Sequence, residues 1–249
     1  MDTAAGAPRA PHDDREPSPA VRPGRRLRVW DLPTRVFHWT LAASVIASVV
    51  TAKVGGNAAP WHFRLGYLAL SLLAFRLLWG VLGGHWSRFG AFAYGPGALW
   101  RYLRGVPRSH DRFDIGHSPL GSLSVWALLV VLALQVATGL VADDEIANAG
   151  PLNRFVSGAL ASQATTYHKA IGQWALIGLI ALHVGAVLFY LFHRRRNLVG
   201  AMWHGDKQVA ADRQAVVPDS RDTAGTRLLA LLLFGACAAA VAWLVSLGA

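Results

Sequence analysis

Ten histidines are the residues best suited to chemistry in this 249-residue chain, whose single cysteine, Cys237, excludes intrachain disulfides, Cys-rich zinc or iron–sulfur sites and C-x-x-C-H haem attachment. His12 lies in the N-terminal tail, and His85, His110, His117, His193 and His204 fall in loops or at basic helix ends. The other four, His38, His62, His168 and His183, lie in or at the edge of long apolar runs. An ionisable side chain there is costly and marks function, although a lone histidine serves equally as a helix-to-helix hydrogen bond. Two imidazoles meeting at one level from facing helices, with no Cys or carboxylate beside them, suit the axial positions of a haem iron better than a tetrahedral zinc site.

The elements that must position them are membrane spans. Hydrophobic residues make up 53% of the chain and charged residues 15%, against about 25% charged in an ordinary soluble domain. Five segments reach the roughly 20 apolar residues that a bilayer requires: about 34–54, 62–83, 119–141, 167–192 and 227–247. Backbone groups facing lipid must be satisfied within the segment, so all five are predicted helices, with Pro33 in the first turn of the first. Residues 1–35 carry seven arginines and the loop 84–118 five, whereas 142–166 has Arg154 against Asp143, Asp144 and Glu145. The basic sides are therefore expected in the cytoplasm, with the N-terminus, and the fifth span leaves the C-terminus outside.

That topology sorts the histidines by depth. His62 opens the second span at the outer face and His168 the fourth, while His38 lies near the inner face. His183 follows His168 by 15 residues, roughly 22 Å deeper and about 60° around the helix. The expected pairs are His62 with His168 outside and His38 with His183 inside, stacked along one face of the fourth helix. The net charge of +10 is placed as orientation charge around spans rather than as a nucleic-acid footprint. The proline-rich first 26 residues read as a disordered tail without a signal peptide, and 96–104 as a short helix lying in the interface.

Several stretches carry a resemblance: VWDLPTRVFHW (29–39), HFRLGYLALSLLAFRLLWG (62–80), RFGAFAYGPGALWRYLRG (88–105), GHSPLGSLSVWALL (116–129), QVATGL (135–140), HKAIGQWALIGLIALHV (168–184) and NLVGAMWHGDK (197–207). In this order, around these histidines, the chain resembles the prokaryotic cytochrome b561 family, which includes the cytochrome b subunits of nickel–iron hydrogenases. The resemblance implies an all-α integral membrane four-helix bundle binding two haem b groups, with His38, His62, His168 and His183 as axial ligands. Here the fifth transmembrane helix is additional. It further implies a bacterial inner-membrane protein passing electrons between the quinone pool and a periplasmic partner, either a c-type cytochrome or a hydrogenase-like enzyme. A self-contained superoxide:quinone oxidoreductase and a haem-containing anchor for a periplasmic enzyme are the rival functions, and homo-oligomerisation stays open. The corresponding division is a tail (1–27), the cytochrome domain (28–207), a linker (208–226) and the extra helix (227–249).

Other residues invite a role without forcing one. Arg76, about four turns beyond His62, reaches the inner pair's level, where it either pairs with a haem propionate or snorkels to the headgroups. Arg35 and Arg64 are weaker candidates of the same kind. Gln135 and Thr138 read as helix-to-helix bonds before quinone or histidine partners. Asp143, Asp144 and Glu145 are either a docking patch or a solvated loop. Trp30, Trp39, Trp61 and Trp203 suit an interfacial belt, with Trp39 and Trp61 beside candidate ligands. Gly235 and Ala239 on the fifth helix suggest packing or assembly.

Overall fold

Asp31 accepts a hydrogen bond from the Thr34 N–H at 2.8 Å and Pro33 lies in the first turn, so the chain enters its first long helix capped. The computed structural model describes residues 25–106, 108, 111, 113–144, 148–209 and 217–248; His12, His110, Glu145 and most of the proline-rich tail lie outside them. The elements are β1 (Arg25–Arg28), α1 (Leu32–Val54), α2 (Ala59–Leu82), α3 (Pro96–Leu103), α4 (Pro119–Val141), α5 (Gly158–Thr166), a π turn (Tyr167–Gly172), α6 (Gln173–Phe192), α7 (Leu198–His204), β2 (Asp206–Val209) and α8 (Ala224–Ser246). Five stretches are long and apolar enough to span a membrane: 32–54, 56–82, 119–141, 158–192 and 224–246. The chain is an all-α multi-pass membrane protein.

The fourth span differs from expectation at its outer end. It begins at 158 rather than about 167, because α5, the π turn and α6 form one continuous helix, capped where Ser157 Oγ accepts from Leu160 N. Residues 158–166 are mostly small or polar, so hydropathy alone places the boundary too late.

Close packing joins α1 to α2, α2 to α8 and α4 to α6, with α2 also against α4. This makes α2 the central helix, and it buries Leu72, Leu73, Phe75 and Trp79. The fifth span rests on α2 through Ala230 and Cys237, flanked by Leu233 and Phe234. Gly235 and Ala239 are exposed instead; bulky side chains on another face of α8 supply the packing within the chain.

The arginine-rich end is knitted by an antiparallel ribbon of β1 and β2, with Leu27 opposite Lys207. Over it lies a cluster of Leu27, Val29, Trp30, Trp86, Ile115, Ala201 and Val209. Trp30, expected in an interfacial belt, is buried there. The approach to α8 is held in the same cap: Ser220 N donates to Arg28 O at 2.8 Å, Ser220 Oγ to Val29 O at 2.7 Å, and Asp222 pairs with Arg28 and Arg227, both at 2.8 Å. Residues 25–27 therefore belong to the ribbon rather than the tail, and 218–222 are pinned rather than a free linker. At the opposite end, Arg154 donates to Leu247 O, so the end of α8 lies beside the 142–157 loop.

Asp31, fully buried, is the hub of the cap. Besides Thr34 N, it accepts from Trp79 Nε1, Gly84 N and Ser87 Oγ, at 3.2, 3.0 and 2.8 Å. The start of α1 is thereby fixed to the end of α2 and the loop beyond. Asp31→Ala is expected to destabilise the protein by about 3 kcal/mol or more, since it removes a helix cap and strands three buried donors. Asp31→Asn should destabilise it less. The check is the unfolding temperature in detergent, followed by maleimide labelling of Cys237, which is only 7% exposed when folded.

Candidate functional site

The structure brings the four intramembrane histidines together as two pairs. The His62 and His168 ring centroids lie 6.0 Å apart with the planes at 85°, and those of His38 and His183 lie 6.5 Å apart at 53°. These are the pairs expected from depth. A metal bonded to one nitrogen of each of two imidazoles at about 2 Å sets the ring centroids roughly 6.4 Å apart, so each pair fits a single iron held from both sides. Among the described residues, no group of three or more His, Cys, Asp or Glu side chains is placed to hold a metal. The donor set thus suits axial ligation rather than a tetrahedral site.

Neighbouring backbone orients the outer pair. His62 Nδ1 lies 2.9 Å from Ser48 O, and His168 Nδ1 lies 2.8 Å from Gln135 O. An Nδ1–H donating to a carbonyl fixes the tautomer and leaves Nε2 free to act as a ligand. The Gln135 side chain makes the helix-to-helix bond expected of it: its Nε2 donates to His168 O at 2.9 Å, inside the π turn. Thr138 Oγ1 hydrogen-bonds Leu134 O within its own helix, with His168 Nδ1 at a longer 3.4 Å.

The π turn around His168 has no recognisable sequence signature. Each of its residues winds through less than the ~100° of an α-helix, which reduces the offset of about 60° expected between His168 and His183 and brings both onto one face. Two glycines open the space beside the outer pair. A Cβ at Gly139 would come within 2.9 Å of the His168 ring, so only a glycine lets that ring lie against α4, whereas a Cβ at Gly66 meets nothing within 4 Å. Both line a cavity of about 600 Å³ together with His62, His168, Val45 and Leu176. A flat macrocycle needs such a gap beside its ligands.

Between the two levels lies a dry layer with one side chain from each helix, Val45, Leu73, Leu132 and Leu176. At the inner level, Trp39 stands edge-on to His38 at 5.0 Å and Trp203 against Trp39 at 5.8 Å. Trp61, by contrast, is exposed and covered by Arg64.

Arg76 is 4% exposed, with its guanidinium 4.6 Å from the Phe89 ring centre and 5.9 Å from that of Phe92. It does not snorkel. Its Nη1 is enclosed without a hydrogen-bond partner, and an unpaired buried cation is strongly destabilising. The residues therefore fit a group that brings an anion into this place, as a haem propionate does. Arg35 is engaged with Trp203 O at 2.6 Å. Asp144 closes its own loop by accepting from Asn148 N and Nδ2.

Sequence reasoning set aside one histidine that the fold draws in. His117, just before α4, packs 4.7 Å from Trp30 and 4.5 Å from Phe92, with Nδ1 enclosed and unpartnered. Burial above all, then the charges of Arg76 and Lys207, push its pKa down to about 3, so the ring is neutral. Its one signal was the motif GHSPLG, in which the histidine reads as a loop residue.

Comparisons with known proteins place the chain in a family. The family model of prokaryotic cytochrome b561 matches residues 29–205. Similar proteins include probable Ni/Fe-hydrogenase B-type cytochrome subunits of Azotobacter chroococcum, 25% identical across 78% of this chain and 93% of that one, and of Bradyrhizobium diazoefficiens, 22% identical across 72% and 85%. A third, from Cupriavidus necator, is 23% identical across 75% and 90%. No solved structure matches the chain. With four intramembrane histidines paired on two levels and the family match running from the cap to the end of α7, the chain belongs to the prokaryotic cytochrome b561 family of membrane electron-transfer proteins.

Proposed function

We propose that the chain is a dihaem cytochrome b that carries electrons across the bacterial inner membrane, between the quinone pool and a periplasmic c-type cytochrome or hydrogenase-like enzyme. The observation that carries this reading is the stacking of two imidazole pairs, 6.0 and 6.5 Å between centroids, at two levels of one bundle. The description of the relatives as hydrogenase cytochrome subunits supports a hydrogenase-like partner. The arginine-rich end, with Arg25, Arg28, Arg35, Arg88 and Arg101, is assigned to the cytoplasm by its charge. The cytochrome unit spans 28–207, and the last span is an addition held in place by the cap.

Haem, when bound, supplies reversible one-electron exchange at its iron. The chain's own residues set the conditions. His62 and His168 would hold the outer haem through Nε2, each oriented by a backbone carbonyl of a neighbouring helix, and His38 and His183 would hold the inner one. Arg76 receives an inner propionate, removing the charge imbalance of its burial. Val45, Leu73, Leu132 and Leu176 keep water out of the layer between. Fifteen residues of helix separate the levels by about 20 Å along the membrane normal.

His168→Ala and His38→Ala should each lower the haem count of the purified protein from two to about one, the first removing the outer group and the second the inner. Loss of both haems in each variant would contradict separate sites. Gly66→Leu tests the outer cavity without touching a ligand: with open space around that Cβ, the fold should survive while the count again falls to about one. Haem per chain, measured against far-ultraviolet dichroism, distinguishes these outcomes.

A further inference from the structure

Near the inner histidine pair, two polar side chains converge, each with one nitrogen that finds no protein partner. Arg76 lies over the Phe92 ring, and His117 packs on that same ring. The Nη1 of Arg76 and the Nδ1 of His117 are both enclosed without partners. Asp31, the acid whose charge Arg76 feels, already accepts four hydrogen bonds elsewhere. Lys207 is engaged with Ile115 O at 2.7 Å and adds positive charge behind His117.

His117 is half-buried and packs against the Trp30 and Phe92 rings. Its Nδ1 is enclosed without a partner. A neutral imidazole carries one proton, and a proton on the sealed, acceptor-free nitrogen would waste its hydrogen bond, so Nε2 is the donor. Tyr94 Oη donates to His117 O at 3.0 Å, and Trp30 closes the other side of the ring, which holds the donor in place. The inner iron needs no third imidazole, because His38 and His183 already face each other at 6.5 Å.

We propose that His117 is a haem-binding residue, its Nε2–H donating to a propionate of the inner haem beside Arg76; this rests on the dihaem reading above. Charge-assisted hydrogen bonds to a carboxylate are the strong ones, and one fixed cation and one neutral donor against the same Phe92 ring suit a single carboxylate. Taking away the donor leaves more negative charge near the iron, which favours its oxidised form.

The test is an optical redox titration of the full chain in detergent, with the inner component identified as the one missing from His38→Ala. His117→Phe should keep both haems and shift the inner component roughly tenfold towards oxidised at a fixed potential, about 59 mV for one electron, with the outer component unmoved. His117→Gln, which keeps an N–H donor, should shift it less than threefold. If His117→Phe does not accumulate as folded protein, His117→Asn, whose amide is too short to reach, takes its place with the same expected shift. An inner component unmoved by these variants would overturn the assignment. So would a Gln variant that shifts as far as Phe, or loss of the inner haem from both Phe and Gln variants, which would make His117 an axial ligand. Absence of haem from the unsubstituted protein would instead overturn the dihaem reading itself.

Discussion

Asp31 is a buried carboxylate whose four donors come from three parts of the chain: the first turn of α1, the end of α2 and the loop beyond it. That convergence fixes how far α1 slides against α2. The register decides where Ser48 on α1 meets His62 on α2, and so where His38 stands, ten residues nearer the cap. A shift of one helical turn, about 5.4 Å, would take both imidazoles away from their partners on the fourth span. The cap around Asp31 also holds the approach to α8, through Ser220, Asp219 and Asp222, so the central α2 is flanked on that side from the same anchor. The buried acid thus sits at one end of the bundle while its effect is read out along the whole of it.

Two kinds of polar group lie inside the bundle, and they are satisfied differently. The Nδ1 atoms of His62 and His168 are matched by backbone carbonyls of adjacent helices, and the π turn is joined to α4 by Gln135. Those bonds are complete within the protein and orient the rings. Arg76, His38 Nδ1 and His117 Nδ1 are enclosed without partners. A membrane protein does not bury an unpaired arginine without something to meet it. Three of the unmatched groups thus lie towards the inner pair, where a bound haem would bring its two carboxylates, while Gln135 Oε1 and Gln173 Nε2 are unmatched beside the outer cavity.

Much of this was legible in the sequence because a bilayer imposes simple constraints. Span length located five helices and charge asymmetry oriented them, and the places of the histidines along the spans together with helix rise paired His62 with His168 and His38 with His183, the rings that lie 6.0 and 6.5 Å apart. What escaped was local. The start of the fourth span is built from small and polar residues and so lacks an apolar signal, and the π turn depends on backbone bonding that no residue pattern announces. RRLR at 25–28 reads as orientation charge, yet pairs with a strand almost two hundred residues away. Arg76 stood between a propionate and the headgroups until its burial excluded the second. His117 looked like a loop histidine because depth near a helix start depends on what folds over it, here Trp30 and Phe92. Gly235 and Ala239 show the converse, a motif of the right spacing on a face that the chain itself does not use.

The central claim is that each histidine pair holds one haem. A pyridine haemochrome assay on the detergent-purified protein, with a dithionite-reduced minus oxidised spectrum, counts b-type haem per chain directly. Two haems per chain, reducible by a quinol, is the result this account requires. A folded chain carrying no haem would contradict it, and would leave the two imidazole pairs as helix-to-helix contacts or as sites for another metal.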